Sequence, residues 1–567
     1  MSNGWVPDFV AELRRGCDIE FRLALMSGLT STTKDGQWTN REIVSVSVDG
    51  AEVSPVDWTA SGSAWRVVLS GVEAYAEALT VLTRGSVVGL YASAAGIEEC
   101  IAIGVVRQIK SSQLPLWEIE VWDLVSALMT RLSTSYIRTS LAYDTGEDGH
   151  TESGSVTTYT SGLGTATVTV ASTTGFSSAG IFVLGSAYYS YTGKTATTFT
   201  GCSTAPILGS APEASSGDAV YEVTGNVTTY VSGLGTATVT VGSTTGFARK
   251  GGASGCFRIG DAYYAYTGTT ATTFTGVGTT PLIGTAPTPA AGDVVLGCAY
   301  WWGHPIDIVR GIFVSSGGGG SADVYPTAWG YGFPRTYMDE SDMARWRDTV
   351  LTVTSGTYLW RLIADAPIEA PGSWLQDHLA SAGIWLVMRQ GGLTVRCAQT
   401  PVDSASVYES GEHITDDEIR GPIEVEHFDA SRERVYARVR CTARGVDAWQ
   451  RATPGSWPCS GEIVYDVSDK VITDRASITA EMLRRLANWP TRIHEVFRLT
   501  VGLDRAALVP GDLVRLTTAH AMSRYSAPEM GMVDNAVLMV LRVDPDWMGG
   551  SCRLELGMLP SWDGVFP

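Results

Sequence analysis

The sequence predicts a mainly β protein with some α+β structure, built from several β-barrel-like domains and two tandem small all-β modules. Its segments rich in Val, Thr and Ser alternate apolar and polar residues, as half-buried strands do. The chain has 63 glycines among 567 residues, which indicates many turns. A block that begins at Val156 is nearly written out again from Val227.

The repeated block is the most informative feature of the sequence. Its first copy opens as TTYTSGLGTATVTVASTTGF (Thr157–Phe176) and its second as TTYVSGLGTATVTVGSTTGF (Thr228–Phe247). The offset between the copies grows from 71 to 75 residues along the block, so four residues are inserted in the second copy near positions 249–254. Because insertions fall in loops, we predict that each copy is a self-contained folded unit.

The chain is too long for a single hydrophobic core, and its character changes at both ends of the repeat. We therefore predict five units. They are an N-terminal β-barrel-like domain over 1–150, modules over 151–225 and 226–298, an α+β domain over 299–412 and a C-terminal β-barrel-like domain over 413–567.

The N-terminal domain is predicted to begin with a short helix. Pro7 and Asp8 suit a first helical turn, and Gly16 suits its end. Alternating residues then predict strands over 19–26, 43–48, 65–69, 87–91, 101–109 and 117–121. Asp123 is expected to cap a helix that runs to about Leu132.

After the modules the pattern changes to mixed helices and strands. A Gly-rich loop is predicted over 315–321, a helix from Pro371 to Gly383, and a hairpin around 390–392. The C-terminal domain is predicted to have strands over 424–428, 434–441, 497–503, 512–518, 537–543 and 552–556. A helix from Asp474 or Ser477 to Pro490 interrupts these strands, and Pro510, Gly511 and Asp512 form a tight turn.

The charge pattern bears on the class of partner. A formal net charge of −19 disfavours stable binding of nucleic acid, which requires clustered Lys and Arg, and it suits a surface past which DNA slides.

No run of apolar residues is long enough to predict a membrane span. The N-terminal segment lacks a basic stretch followed by an apolar one, so we expect folding in a cytoplasm.

The sequence offers no recognisable catalytic, cofactor-binding or metal-binding residues. None of the nine cysteines forms a CxxC pair, which favours buried thiols in a reducing compartment over a zinc or redox site. The seven histidines show no metal-binding spacing on a helix, and hydrolase and nucleotide-binding motifs are absent.

Two acidic clusters can be interpreted either as ordinary structural features or as functional sites. Asp416, Asp417 and Glu418, with His413 and His427 beside them, could hold a cation, but a solvated turn or helix start is the favoured interpretation. Asp339, Glu340 and Asp342 lie where the first turn of a helix over 343–346 would begin.

Paired tyrosines recur at equivalent positions of the two modules, as Tyr188-Tyr189 and Tyr263-Tyr264. Adjacent residues of a strand point to opposite faces, so we expect one tyrosine of each pair in the core and the other exposed. The exposed ring could contact a partner protein or stack on a glycan. Cross-strand packing, copied together with the fold, is the favoured alternative.

Three stretches outside the modules resemble phage tail hub and tail tip proteins. They are VWDLVSALMTRL (Val121–Leu132), GHPIDIVRGIFVSS followed by LIADAPIEAPGSWLQDHLASAGIWLVMRQGGLTVR, and LVPGDLVRLTT with LRVDPDWMGGSCRLELGML. The likeness covers residues 5–141 and 301–559, and the modules are similar to small β units of tail and fibre proteins.

The resemblance implies a virion protein with hub β-barrel domains, located at the tail tip or baseplate and assembled in the host cytoplasm. It implies a homo-trimeric ring that closes the tail tube for host attachment and DNA delivery. The implied partners are the distal tail protein, the tape measure protein and tail fibre or tip proteins, with DNA only passing through the channel.

Two other functions stay open at the level of sequence. One is a glycan-binding tail adhesin that acts through the duplicated modules. The other is a tail-associated hydrolase of the cell envelope, which would need a carboxylate pair or a Cys/His site in a cleft. The sequence contains no motif that specifically predicts either of these two functions.

Overall fold

The computed structural model describes a chain that is mainly β, as the sequence predicts. The residues described are 5–26, 37–39, 42–53, 60–71, 78, 82, 84–113, 115–129, 155–207, 209–222, 227–244, 246–247, 254–314, 335–349, 359–364, 371–380, 382–389, 392–397, 412–428, 436–443, 446–451, 461–466, 471–473, 477, 494–523 and 531–558. The predicted loop over 315–321 lies outside this set, as does the predicted helix up to Pro490 except for Ser477.

The N-terminal part forms one seven-stranded antiparallel sheet, in the order β2-β1-β7-β8-β9-β6-β3. Its elements are α1 (Pro7–Arg15), β1 (Ile19–Leu25), β2 (Gln37–Thr39), β3 (Ile43–Val48), β4 (Ala51–Val53), β5 (Ala60–Ser61), β6 (Ala64–Ser70), β7 (Val87–Ala94), β8 (Ile97–Gln113), β9 (Leu116–Asp123) and α2 (Leu124–Met129). Both predicted helix signals are confirmed. Gly16 ends α1 with a φ of 72°, and the Asp123 carboxylate accepts the Ser126 N–H at 2.6 Å.

The two copies of the repeat adopt the same fold. Module 1 consists of β10 (Val156–Ser161), β11 (Thr167–Val170), β12 (Gly180–Leu184), β13 (Ala187–Tyr191), β14 (Gly193–Lys194), β15 (Thr198–Thr200) and β16 (Ala219–Glu222). Module 2 consists of β17 (Val227–Ser232), β18 (Thr238–Val241), β19 (Gly255–Ile259), β20 (Ala262–Tyr266), β21 (Gly268–Thr269), β22 (Thr273–Thr275) and β23 (Val294–Gly303). The strand orders correspond one to one, β13-β12-β16-β10-β11-β15-β14 and β20-β19-β23-β17-β18-β22-β21.

The α+β part follows module 2 without a break, because β23 continues into it. Its elements are α3 (Pro305–Val314), α4 (Glu340–Thr349), β24 (Trp360–Ala364), α5 (Pro371–Ala380), β25 (Ile384–Arg389) and β26 (Gly392–Cys397). The predicted β25–β26 hairpin and the helix from Pro371 are confirmed. The helix α3 was not predicted, because eight of its ten residues are buried and the stretch is largely apolar in sequence.

The C-terminal part contributes a second large sheet, in the order β27-β34-β35-β36-β33-β28. Its strands are β27 (His413–Ile414), β28 (Glu424–Phe428), β29 (Tyr436–Ala443), β30 (Val446–Arg451), β31 (Gly461–Asp466), β32 (Val471–Thr473), β33 (His494–Gly502), β34 (Leu513–Ser523), β35 (Gly531–Asp546) and β36 (Ser551–Met558). Strands β29, β30 and β31 form a separate small sheet, and β32 pairs with β24.

The two ends of the chain interlock, although the modules lie between them in sequence. The hairpin β4–β5 pairs with β35, with Glu52 opposite Arg542. Trp5 packs on Trp547 with ring centroids 5.8 Å apart, and Arg14 donates to Asp504 at 2.8 Å. We call the described residues of 5–129 and 299–558 the body, because they share these contacts.

The strand orders differ from the prediction in one respect. Within the residues described, no sheet closes into a barrel. In the described residues, the edge strands of the N-terminal sheet, β2 and β3, do not pair with each other, and the next strand in the chain, β4, pairs with β35 of the other sheet. In the same set of residues, no helix is long and apolar enough to cross a membrane.

The Trp5–Trp547 contact gives a test of the interlocked body. Replacement Trp547→Ala removes a side chain that is 5% exposed and packs on Trp5 and Phe21. We expect it to lower the free energy of unfolding of the body by about 3–5 kcal/mol, measured by urea titration of tryptophan fluorescence. The neighbour Met548 is 57% exposed, so Met548→Ala should cost less than about 0.5 kcal/mol. Equal losses in the two variants would contradict the interlock.

Candidate interaction surfaces of the tandem modules

One tyrosine of each recurring pair lies in the core of its own module. Tyr189 stacks on Phe182 with ring centroids 5.6 Å apart, and Tyr264 stacks on Phe257 at the same 5.6 Å. Burial raises the pKa of both phenols. These residues build the interior of the modules.

The other tyrosine of each pair points to the opposite face of the sheet, which we call the outer face. Tyr188 lies opposite Val183, and both join Val227 and Leu296 of module 2 in one apolar cluster. Module 1 is thereby packed against module 2.

Tyr263 occupies the equivalent place on the outer face of module 2, but its neighbours differ. It belongs to the large apolar cluster of the body, together with Ile283 of its own module and Trp301, Ile306 and Leu124 of the body. Module 2 is thereby packed against the body, and the three units form a series of body, module 2 and module 1.

The expectation that one tyrosine of each pair is exposed is wrong. Tyr188, Tyr189 and Tyr264 are each 1% exposed and Tyr263 is 5% exposed. The two faces of the strand do alternate as expected, but the neighbouring unit covers the outer face. A partner or glycan contact at these four residues stays a prediction, and it requires the covering unit to separate.

The acidic stretch 415–418 forms a turn in which each carboxylate has a different partner. Asp416 accepts the backbone N–H of Ala519 at 2.9 Å, and Asp417 accepts the Thr415 hydroxyl at 2.7 Å. Glu418 accepts from Arg505 at 2.6 Å, and burial raises the pKa of Glu418. The favoured interpretation as a turn is confirmed.

The histidines near this turn show no arrangement around an ion. His413 is exposed and its Nε2 lies 2.9 Å from the Thr517 hydroxyl, whereas the side chain of His427 lies outside the described residues. Among the residues described, no group of three or more His, Cys, Asp or Glu is placed to hold a metal. The turn instead covers the N–H of Ala519 on β34.

The second acidic cluster contains a residue whose role the sequence did not reveal. Asp339 accepts the Asp342 N–H at 3.0 Å and begins α4, as the sequence predicts. Asp342 itself is 4% exposed, and its carboxylate lies 2.5 Å from Arg396, 2.9 Å from Arg389 and 3.0 Å from Arg345. Nothing in the local sequence distinguishes it from a solvated residue of a first turn.

Arg396 extends this buried charge network to the C-terminal sheet. It is fully buried, donates to Asp512 at 2.8 Å and lies over the Trp346 ring at 4.9 Å. Burial by itself would lower the pKa of Arg396 and raise that of Asp342. The opposite charges outweigh burial, so the pKa of Arg396 is raised and that of Asp342 is held below its ordinary value.

Comparisons with known proteins give matches only among solved structures. No protein-family model and no curated protein matches the chain. The chain is similar to a tail protein from Neisseria meningitidis MC58, at 9% identity and a TM-score of 0.37 over 96% of this chain and 97% of that one.

Two further matches are prophage tail proteins. One is the 43 kDa tail protein of prophage MuSo2 from Shewanella oneidensis, at 9% identity and a TM-score of 0.34 over 95% of this chain and 97% of that one. The other is the prophage tail protein gp18 from Listeria monocytogenes EGD-e, at 8% identity and a TM-score of 0.30 over 95% and 94% of the two chains. Because each TM-score lies below 0.5, the function proposed below rests on this chain's own sequence and geometry.

Replacement of the two tyrosines of module 1 should separate their roles. Tyr189→Ala opens a cavity in the module core and should cost about 3 kcal/mol, with faster amide exchange throughout module 1. Tyr188→Ala should leave that core intact and speed exchange only along β12, β13, β17 and β23, the strands that form the contact between the modules. Hydrogen exchange with mass spectrometry on the full chain distinguishes the two patterns. The prediction fails if the two variants give the same pattern.

The buried charge network predicts a dependence of stability on pH. Since the pKa of Asp342 lies below its ordinary 3.8 in the folded chain, its stabilisation is complete above that value and is lost as the pH falls through the folded pKa. Asp342→Asn should cost about 3–5 kcal/mol near neutral pH, because Arg396 loses a buried counter-charge. The variant should also lose less stability than the wild type below pH 3.8.

Asp339→Asn is the matched control, because asparagine begins a helix as well as aspartate does. It should change the free energy of unfolding by less than about 1 kcal/mol. Urea titrations at a series of pH values measure both variants. A cost for Asp342→Asn as small as that of the control would show that the network does not hold the body together.

Proposed function

We propose that this chain is a structural protein of a phage-like tail, placed at the tail tip or baseplate as a hub. The single observation that carries the proposal is the duplicated β module, inserted into one continuous body and packed against it in series. The resemblance of the three stretches outside the modules to tail hub proteins supports the same function.

The body is suited to carry an insertion without losing its own integrity. Its N- and C-terminal parts are joined by the pairing of β4 with β35 and by the Trp5–Trp547 contact. The modules are therefore inserted into a scaffold whose N- and C-terminal parts are held together by direct contacts. A scaffold of this kind suits an architectural role more directly than turnover of a substrate.

The modules form an arm with fixed joints. Module 2 is joined to the body through β23 and the cluster around Tyr263, and module 1 is joined to module 2 through the cluster around Tyr188. An arm in which each joint buries apolar surface holds its far end in a defined position. This property suits a protein that positions tail fibres or meets a cell surface.

The finer proposal is a homo-trimeric ring that closes the tail tube. In it, the body would contact the distal tail and tape measure proteins, and the modules would contact fibre or tip proteins. The net charge of −19 suits a channel through which DNA passes without being held. We propose a structural and not an enzymatic role.

Location within particles tests the proposal. We expect gold-labelled antibody against the chain to mark the tail tip in negative-stain images of particles from a producing strain. We expect light scattering of the purified chain to give three times its mass of 60.4 kDa. Labelling of heads alone, or absence of the chain from particles, would overturn the tail assignment, and a monomer in assembled tails would overturn the ring.

Two assays of the full chain address the other functions. Specific binding of the full chain to immobilised glycans would favour an adhesin over a purely architectural role. Clearing of peptidoglycan that a single acidic substitution abolishes would favour a hydrolase. We expect neither result.

A further inference from the structure

Two cysteines face each other across adjacent strands of module 2. Cys256 on β19 is the register partner of Cys298 on β23, and each side chain is 1% exposed. Directly opposed residues of an antiparallel pair have Cα atoms about 4.5–5.5 Å apart and side chains on the same face. Disulfides span Cα separations of about 4.4–6.8 Å, so the register by itself places this pair within bonding range.

The pair lies where module 2 is joined to the body. Cys298 pairs within module 2, and the next residue of β23, Ala299, pairs with Ala364 of β24 in the body. Both cysteines belong to the apolar cluster that packs Tyr263 against the body. A bond at this position would fix β19 to the strand that enters the body.

The other copy of the repeat lacks this pair. Module 1 carries Ile181 at the position of Cys256 and Val223 at the position of Cys298. The cysteine pair is thus present in module 2, which packs against the body, and both positions hold other residues in module 1. A buried cysteine can serve simply as a small apolar residue. That role does not require a second cysteine directly opposite it on the neighbouring strand, as Cys298 is to Cys256.

We propose that Cys256 and Cys298 are a disulfide-forming site that clamps module 2 at its attachment to the body. Neither is disulfide-bonded in this structure. With a small-molecule disulfide as oxidant, one thiolate attacks the oxidant and releases one thiol. The second thiolate then attacks the mixed disulfide and releases another thiol. The two cysteines lose two protons and two electrons, and the oxidant is reduced to two thiols.

The biological setting of the clamp rests on the proposed function. A tail protein folds in a reducing cytoplasm, where the pair stays a dithiol, and it acts in released particles under oxidising conditions. The bond would form after assembly, in the oxidising surroundings of released particles. Because both thiols are buried, the reaction requires local opening of the joint between module 2 and the body.

The test uses the purified full chain. It is incubated with oxidised glutathione under native conditions, its remaining thiols are alkylated in denaturant, and its peptides are mapped without reduction. We expect a linked peptide that joins Cys256 to Cys298, and a Tm of the oxidised chain about 5 °C or more above that of the reduced chain.

Matched variants keep the result interpretable. Cys256→Ile restores the residue of module 1, so it should fold, form no linked peptide and show no rise in Tm on oxidation. Cys17→Ser, at a partly exposed cysteine of the N-terminal part, should retain both effects. Absence of the linked peptide in the native wild type, or its formation only in denaturant, would overturn the clamp. This outcome is independent of where the chain lies in a particle, so it leaves the tail assignment untouched.

Discussion

Strand β23 is the element on which the arrangement of this chain depends. Over ten residues, Val294–Gly303, it pairs first with β17 and β19 of module 2 and then with β24 of the body. Val295 and Leu296 are paired on both sides, by β17 and β19, and the pairing passes directly from β19 at Cys298 to β24 at Ala299. The strand is therefore unbroken where module 2 meets the body. The predicted boundary between residues 298 and 299 falls inside this strand. The orientation of module 2 relative to the body follows from this shared strand, and module 1 is placed by the apolar cluster that packs it on module 2.

The duplicated modules show how one fold serves two positions. Their interiors keep the same aromatic residues, since Phe182, Tyr189 and Phe199 correspond to Phe257, Tyr264 and Phe274. Their outer faces diverge, because Ile181 and Val183 of one copy correspond to Cys256 and Arg258 of the other. An interior is constrained by close packing within the module, whereas an outer face must fit whatever covers it. The sequence differences on the outer faces of the two modules therefore reflect the different units that pack against them.

The body holds its parts together by a different kind of contact. Arg396 and Asp342 are buried charges whose partners come from α4, the β25–β26 hairpin and the turn before β34. Removing charges from water is costly, and the cost is offset only when every partner is in place. Such a network permits one relative placement of these three elements. A defined placement is what a scaffold for an inserted arm requires.

The sequence by itself determined the mainly β class, the two modules and their common fold, the caps of the first two helices and the β25–β26 hairpin. Each of these depends on residues close together in the chain, where periodicity, turn residues and capping act directly. The tertiary structure alone decided that Tyr188 and Tyr263 are covered, that β4 pairs with β35, and that Asp342 is buried beside Arg396. Those outcomes depend on surfaces brought together from positions far apart in the chain. The alternation of residues along a strand predicts that the strand has two faces. It does not predict which neighbouring unit will cover the face that points away from the module's own core.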